Sequence, residues 1–159
     1  MAKVILICGK ICSGKTTYAH LLRQRYGGAL LSVDEIMLAM FGQHCGERHD
    51  EYAANTQRYL FAKSAELAET GIDVILDWGF WTKAGRDAAR AFYRERDIPC
   101  EFHAIDIPDE VWHERLKKRN AEVRLDPTLA YYVDENLAAK FGSRFEMPDD
   151  SEIDVWVRG

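Results

Sequence analysis

Val4-Ile-Leu-Ile-Cys8, followed by Gly9-Lys-Ile-Cys-Ser-Gly14-Lys15-Thr16-Thr17, is the stretch on which the fold turns. Five apolar residues running into a glycine predict a buried parallel strand over Lys3–Cys8. The next eight residues fill the pattern G-x-x-x-x-G-K-[ST]. Gly9 and Gly14 let the backbone aim its N–H groups at phosphate oxygens. A helix predicted from Gly14 to Tyr26, closed by Gly27-Gly28, presents its N-terminus to the same anion. Lys15 would reach the outer phosphates of a nucleotide, and the Thr16 hydroxyl would ligate magnesium. The candidate nucleotide-binding set is Gly9, Ser13, Gly14, Lys15, Thr16 and Thr17, joined from later in the chain by Arg115 and Arg119. A glycine turn beside an ordinary surface lysine is the plainer reading, but a strand before and a helix after argue against it.

Working outward, strand and helix signals alternate. A short strand over Ala29–Val33 leads to a helix over Glu35–Phe41, ended by Gly42. Gln43–Glu51 has no periodicity and reads as a loop. A longer helix spans Tyr52–Thr70, a strand Ile72–Asp77, and a helix capped by Thr82 runs to about Arg96. Strand Cys100–Ile105, helix Asp109–Asn120, a charged stretch to Pro127, helix Leu129–Phe141 and strand Ile153–Val157 complete the chain. Alternation of this kind predicts an α/β fold, with helices on both faces of a mainly parallel sheet of about five strands. One domain over residues 1–159 suffices.

The bulk numbers narrow the functional class. Hydrophobic residues make up 47% and charged residues 30%, which excludes disorder. A net charge of -5 disfavours a protein that rides on the nucleic-acid backbone. No apolar run has the length of a membrane span. A signal peptide is rejected, because cleavage would remove the phosphate loop. The four cysteines have no framework spacing and read as reduced thiols, so a cytoplasmic location is expected.

Asp34 and Asp77 each end a predicted strand. In parallel sheets ligands bind beyond the carboxyl ends of the strands, so both carboxylates should share the edge of the phosphate loop. Asp77 fits the apolar-strand-plus-aspartate pattern that holds magnesium with Thr16. Asp34 is placed to take a proton from an acceptor hydroxyl, or else to cap the helix starting at Glu35.

With these features the chain resembles the small AAA-type ATP-binding P-loop kinases grouped with chloramphenicol phosphotransferase, zeta toxins and the kinase domain of polynucleotide kinases. GKICSGKTT, SVDE at residues 32–35, LDWGFW at 76–81, RLKKRN at 115–120 and FEMPDDSE at 145–152 carry the resemblance. It implies a P-loop NTPase fold with a small helical lid at about residues 115–128. It also implies ATP with magnesium as cofactors, transfer of the γ-phosphoryl group to a hydroxyl, and Asp34 as general base. Polynucleotide kinases typically carry an arginine three residues after that base, where this chain has Met37. A small-molecule acceptor is therefore preferred, with a 5′-hydroxyl polynucleotide or nucleoside kinase as alternative. A non-catalytic ATP-dependent binding module ranks last. Oligomeric state is left open.

Arg115 and Arg119 lie four apart on one helix face, with Arg124 beyond them. A guanidinium there would neutralise charge on the transferring phosphoryl group, Arg119 foremost, or the run is a solvated charged face. Trp78, Phe80 and Trp81 follow the third strand; Trp78 is a candidate for packing on the substrate, with core packing the alternative. Arg86, one turn into the next helix, is a candidate substrate ligand or an exposed charge. His44, Cys45 and His49 fit no zinc spacing and belong to a substrate-covering loop. Cys12, near Lys15, is a small filler or a stabilised thiolate. Phe145–Pro148 would turn around the adenine base, as the resemblance implies.

Overall fold

Alternation along β1 (Val4–Cys8) divides the core in two. In the computed structural model, which describes residues 2–128 and 130–158, this strand is buried throughout. Successive side chains point to opposite faces. Val4, Leu6 and Cys8 therefore join one apolar cluster, and Ile5 and Ile7 another. Helix α1 (Lys15–Tyr26) covers the second cluster with Ala19 and Leu22.

On either side lie β2 (Ala29–Ser32), β3 (Val74–Gly79), β4 (Cys100–Asp106) and β5 (Val155–Arg158). The sheet runs β2-β3-β1-β4-β5, every pairing parallel. Helices α3 (His49–Glu69) and α4 (Lys83–Arg94) cover the other face through Ala65, Ala68, Ala89 and Tyr93. The Tyr93 hydroxyl is satisfied at 2.6 Å by Ser64 Oγ. The remaining helices, α2 (Val33–Phe41), α5 (Asp109–Leu125) and α6 (Glu135–Arg144), gather at the carboxyl edge of the sheet. The α/β expectation holds.

Several boundaries differ from the sequence reading, each for a local reason. Strand β2 stops at Ser32, whose hydroxyl accepts from the Glu35 amide at 3.2 Å. Ser32 is thus the cap of α2, and Asp34 sits inside the first turn with its carboxylate uncommitted to capping. Helix α3 starts at His49, with Asp50 and Glu51 favouring its N-terminus. Helix α5 continues to Leu125 because Ala121, Glu122, Arg124 and Leu125 are good helix formers and Val123 is buried. The stretch expected as a lid at 115–128 is mostly these last turns. Position 129, where the sequence reading began the following helix, lies outside the described residues. That helix begins at Glu135, with Asp134 accepting from the Leu137 amide at 2.7 Å.

Arg86 is neither at the acceptor nor in water. It is fully buried, donating from Nε to Glu152 at 2.9 Å and from Nη1 to the Phe80 carbonyl at 2.9 Å. Two apolar flanks hide its position from a charge-based reading: Ala89 and Tyr93, on the same face of α4, are buried as well.

Candidate active site

The phosphate loop is braced before any ligand is considered. Gly9 N–H donates to the Gly79 carbonyl at 3.0 Å, tying the start of the loop to the tip of β3. Gly14 has φ +101°, a backbone conformation strained for any side chain, and a Cβ there would also displace Arg115 Nη1, approached to 2.7 Å. From α5, three side chains one face apart grip three successive loop positions. Trp112 Nε1 donates to the Ile11 carbonyl at 2.5 Å, Arg119 Nη1 to Cys12 Sγ at 2.9 Å, and Arg115 Nη1 to the Ser13 carbonyl at 2.7 Å. The pairing of Arg115 with Arg119 read from sequence is therefore realised at the loop itself. Arg124 instead donates to Tyr132 Oη at 2.6 Å on the exposed side.

Asp77 is aimed by register. Ile7 pairs with Asp77 but Cys8 pairs with Gly79, so the ladder skips Trp78. Such an irregularity re-aims the side chains around it. Asp77 shares its face with Ile75 and meets Thr16, whose Oγ1 donates to Oδ2 at 3.1 Å. Trp78 falls on the opposite face, stacked on Phe80 at 4.9 Å and edge-on to Phe61 at 5.3 Å. It still lines the cleft, but most of its ring is wedged against the core. Phe80 itself is 6% exposed. Trp81 packs on Phe141 from α6.

Asp34 enters from the neighbouring strand. Ser32 sits opposite Asp77 in the β2–β3 ladder, so Asp34, two residues on, leaves from the adjoining tip. Lys15, half-buried, donates from Nζ to the Lys10 carbonyl at 2.7 Å. Loss of solvent pushes its ammonium below the ordinary range, while Asp77 and then Asp34 pull it back up. Burial likewise raises the Asp77 carboxyl; Lys15 and the Thr16 hydroxyl oppose this, and Asp34 adds to it. Lys15, Asp34 and Asp77 all line the same cleft.

This arrangement fits a nucleotide with magnesium. Asp77 and Thr16 offer hard oxygen donors side by side, which suits a cation that completes its shell with phosphate and water. Ser13 Oγ is buried and lacks a hydrogen-bond partner among the described residues, a group that a phosphate oxygen could satisfy. The cleft, about 2490 Å³, is lined by Ser13, Lys15, Thr16, Thr17, Asp34 and Asp77 together. That exceeds the volume of an ordinary small-ligand pocket and leaves room for two substrates.

Other expectations resolve differently. Cys12 is buried, and desolvation raises its thiol despite the neighbouring Arg119, so it is not a stabilised thiolate. Among the described residues no group of three or more His, Cys, Asp and Glu side chains is arranged to hold a metal. Phe145 packs against the main core cluster, and the Glu146 amide donates to the Trp81 carbonyl at 2.7 Å. Among the described residues no helix is long and apolar enough to cross a membrane.

Sequence reasoning missed two side chains that shape the far wall. Gln43 Nε2 donates to the carbonyls of Pro127 at 2.8 Å and Ala130 at 2.6 Å, and its Oε1 accepts from the Tyr132 amide at 3.0 Å. Asn120 Nδ2 donates to the Val133 carbonyl at 2.5 Å, and its Oδ1 accepts from the Val133 amide at 2.9 Å. Together they strap the segment after α5 over the cleft. An isolated polar residue in a loop and another at a helix turn carry no signal of such a partnership.

Comparison with known proteins agrees with this geometry. The family model described as AAA domain (AAA_33) matches residues 4–146. No curated protein sequence matches the chain. Among solved structures, a sugar kinase from Janibacter sp. HTCC2649 aligns with a TM-score of 0.70 at 20% identity, over 99% of this chain and 86% of that one. The APS kinase of Mycobacterium tuberculosis, in complex with AMPPNP and APS, aligns at 0.69 and 18% identity, over 99% and 88%. A chain of the Pnkp1/Rnl/Hen1 RNA repair complex aligns at 0.71 and 19% identity, over 90% of this chain and 43% of that one. At these identities the likeness speaks for the fold.

Proposed function

This chain belongs to the AAA domain family, and on that premise we propose that it is an ATP- and magnesium-dependent kinase that transfers the γ-phosphoryl group to a hydroxyl of a small molecule. The observation that carries the reading is geometric: Lys15, Asp34 and Asp77 line one cleft, with Thr16 bonded to Asp77 beside them. ATP binding follows from the family; the remaining roles are inferred from the geometry.

Lys15 and the loop amides would hold the outer phosphates, with Ser13 supplying a further donor. Thr16 and Asp77 would hold the magnesium ion, which neutralises charge on the phosphate oxygens. Asp34 would accept the proton of the incoming hydroxyl, since its carboxylate is exposed to the cleft and free of the helix cap. Arg119, held at Cys12, lies beside the loop where charge spreads over the transferring group. The phosphate loop, α5 and α2 all line the cleft, and their closing on bound substrates would limit attack by water.

A polynucleotide acceptor draws support from the RNA repair likeness. Met37 argues against it: it is 1% exposed, packed among Val33 and Leu60, and offers no cation on the acceptor side of α2.

Replacing Asp34 with Asn keeps the size and shape of the side chain but removes its basicity. Transfer to the acceptor should fall by about 10²–10⁴, while ATP affinity by titration changes little. An Asn variant that keeps most of its transfer rate would show that the proton leaves by another route.

A further inference from the structure

On the wall facing Asp34, one polar group is buried with nothing to bond. Tyr131 packs its ring against the cluster formed by Val33, Met37 and Leu60, edge-on to His49 at a centroid distance of 6.2 Å. Its hydroxyl is shielded from solvent yet has no hydrogen-bond partner among the described residues. A buried hydroxyl is normally paired, so an orphan of this kind calls for a partner. The ring lines the cleft together with Asp34, Leu38, His49 and Ala53. Burial, with the charges of Asp34 and then Cys45, pushes the phenol up to about 12, so it remains a donor at any ordinary pH.

The position is also held. Gln43 fixes the backbone at Pro127, Ala130 and Tyr132, and Asn120 fixes Val133, so Tyr131 stands between two clamps. The backbone that carries the hydroxyl is therefore ordered before a ligand arrives.

Charge on the same wall selects the ligand further. From Leu30 to Phe61 the cleft is lined by Asp34, Glu35, Glu47 and Asp50, and by no lysine or arginine among the described residues. Arg48 is turned to Glu51 at 2.7 Å, and Arg124 to Tyr132. A carboxylate or phosphate held against this stretch would find like charge, because the cations of the cleft, Lys15, Arg115, Arg119, Arg124, Lys140 and Arg144, come from other parts of its lining.

We propose that Tyr131 positions the acceptor by donating a hydrogen bond to one of its oxygen or nitrogen atoms beside the reacting hydroxyl, and that the acceptor is a hydroxyl compound bearing no anionic group. This rests on the kinase reading for the identity of the site, and sharpens it by naming the substrate class. Tyr131 is a positioning residue: the proton of the reacting hydroxyl goes to Asp34, and the phenol keeps its own.

The test pairs wild type with Tyr131→Phe on a probe panel, following label from γ-labelled ATP and thermal shift with AMPPNP. The uncharged or amine-bearing probes are glucose, sorbitol, adenosine and glucosamine; the anionic ones are gluconate and glucose 6-phosphate. Transfer to a non-anionic probe, with KM raised about tenfold or more in the Phe variant and kcat less affected, supports the proposal. The variant should melt no lower than wild type, because the hydroxyl it lacks had no protein partner. A clearly lower melting temperature would instead mark a structural role and overturn it. An unchanged KM, or preference for the anionic probes, overturns it while leaving the kinase reading intact. Binding of a non-anionic probe without transfer, lost in Tyr131→Phe, keeps the Tyr131 assignment and removes the kinase reading. Absence of both binding and transfer with every non-anionic probe overturns the proposal.

Discussion

The two halves of the cleft are built on different principles. The phosphate half is local: Gly9 to Thr17 supply nearly every group, and one face of α5 braces them at Ile11, Cys12 and Ser13. The acceptor half is assembled from afar. Asp34 comes from α2, and Gln43, from the loop after it, reaches the segment carrying Tyr131 across a separation of 89 residues, while Asn120 holds that segment at Val133. A local site can be reused with any partner because its geometry travels with the loop. A distributed one changes with each residue of its walls, which is where substrate choice resides.

Arg86 tests where the boundary between the halves runs. By sequence it belongs to the acceptor side, yet it holds the Phe80 carbonyl at the turn to which Gly9 is tied. Phe80 has φ 46°, in the left-handed region, so that turn needs holding. Replacing Arg86 with Met strands Glu152, and breaking a buried pair costs about 3–5 kcal/mol. A large drop in urea midpoint is expected, with no selective change in acceptor KM. A selective rise in KM with stability intact would return Arg86 to the acceptor.

The same pair gives a pH signature. Burial works to raise the Glu152 carboxyl, but hydrogen bonds from Arg86 and the Asp149 amide, with the charge of Arg86, outweigh it and hold it below its ordinary 4.5. A depressed folded value means that the unfolded chain takes up protons first as pH falls. The stabilisation is therefore complete above 4.5 and is lost as pH drops through the folded value. In urea melts, the gap between wild type and Glu152→Gln should narrow steadily below pH 4.5.

Gln43 probes the other half. Gln43→Leu would release two carbonyls and one amide of the segment carrying Tyr131. Each bond is worth about 1 kcal/mol net, so the segment should open measurably. Acceptor KM should rise about fivefold or more and proteolysis after residue 126 should quicken, while ATP affinity stays close to wild type. Equal weakening of ATP and acceptor would mean that the two halves move as one.

What was legible in the sequence follows the same division. The strand-loop-helix signal of residues 4–26 depends on contacts between near neighbours, and its reading held to within a residue or two. Asp34 and Asp77 were readable because strand ends in a parallel sheet share one edge, whatever the loops do. Arg86 was misread because the partner that makes its burial tolerable, Glu152, lies 66 residues away. Gln43 was missed for the same reason, its partners at Pro127, Ala130 and Tyr132 lying 84 to 89 residues away. Helix boundaries slipped where a cap or a buried side chain, such as Ser32 or Val123, outvoted the charge pattern.

The smallest effect expected is at Cys12, and it separates packing from chemistry within the phosphate half. Its sulfur accepts from Arg119, but the thiol is buried and desolvation keeps it protonated. A serine hydroxyl would accept the same bond in slightly less space. Cys12→Ser should therefore change ATP affinity by less than about threefold, since one neutral hydrogen bond replaces another. Alkylation of wild type at pH 8 should be slow at this position, because only the thiolate reacts. Fast, nucleotide-protected alkylation would show instead that α5 swings away from the loop often enough to expose the sulfur. The phosphate half would then owe its shape to closure of α5 and not to the loop alone, and the contrast between the two halves would shrink to one of degree.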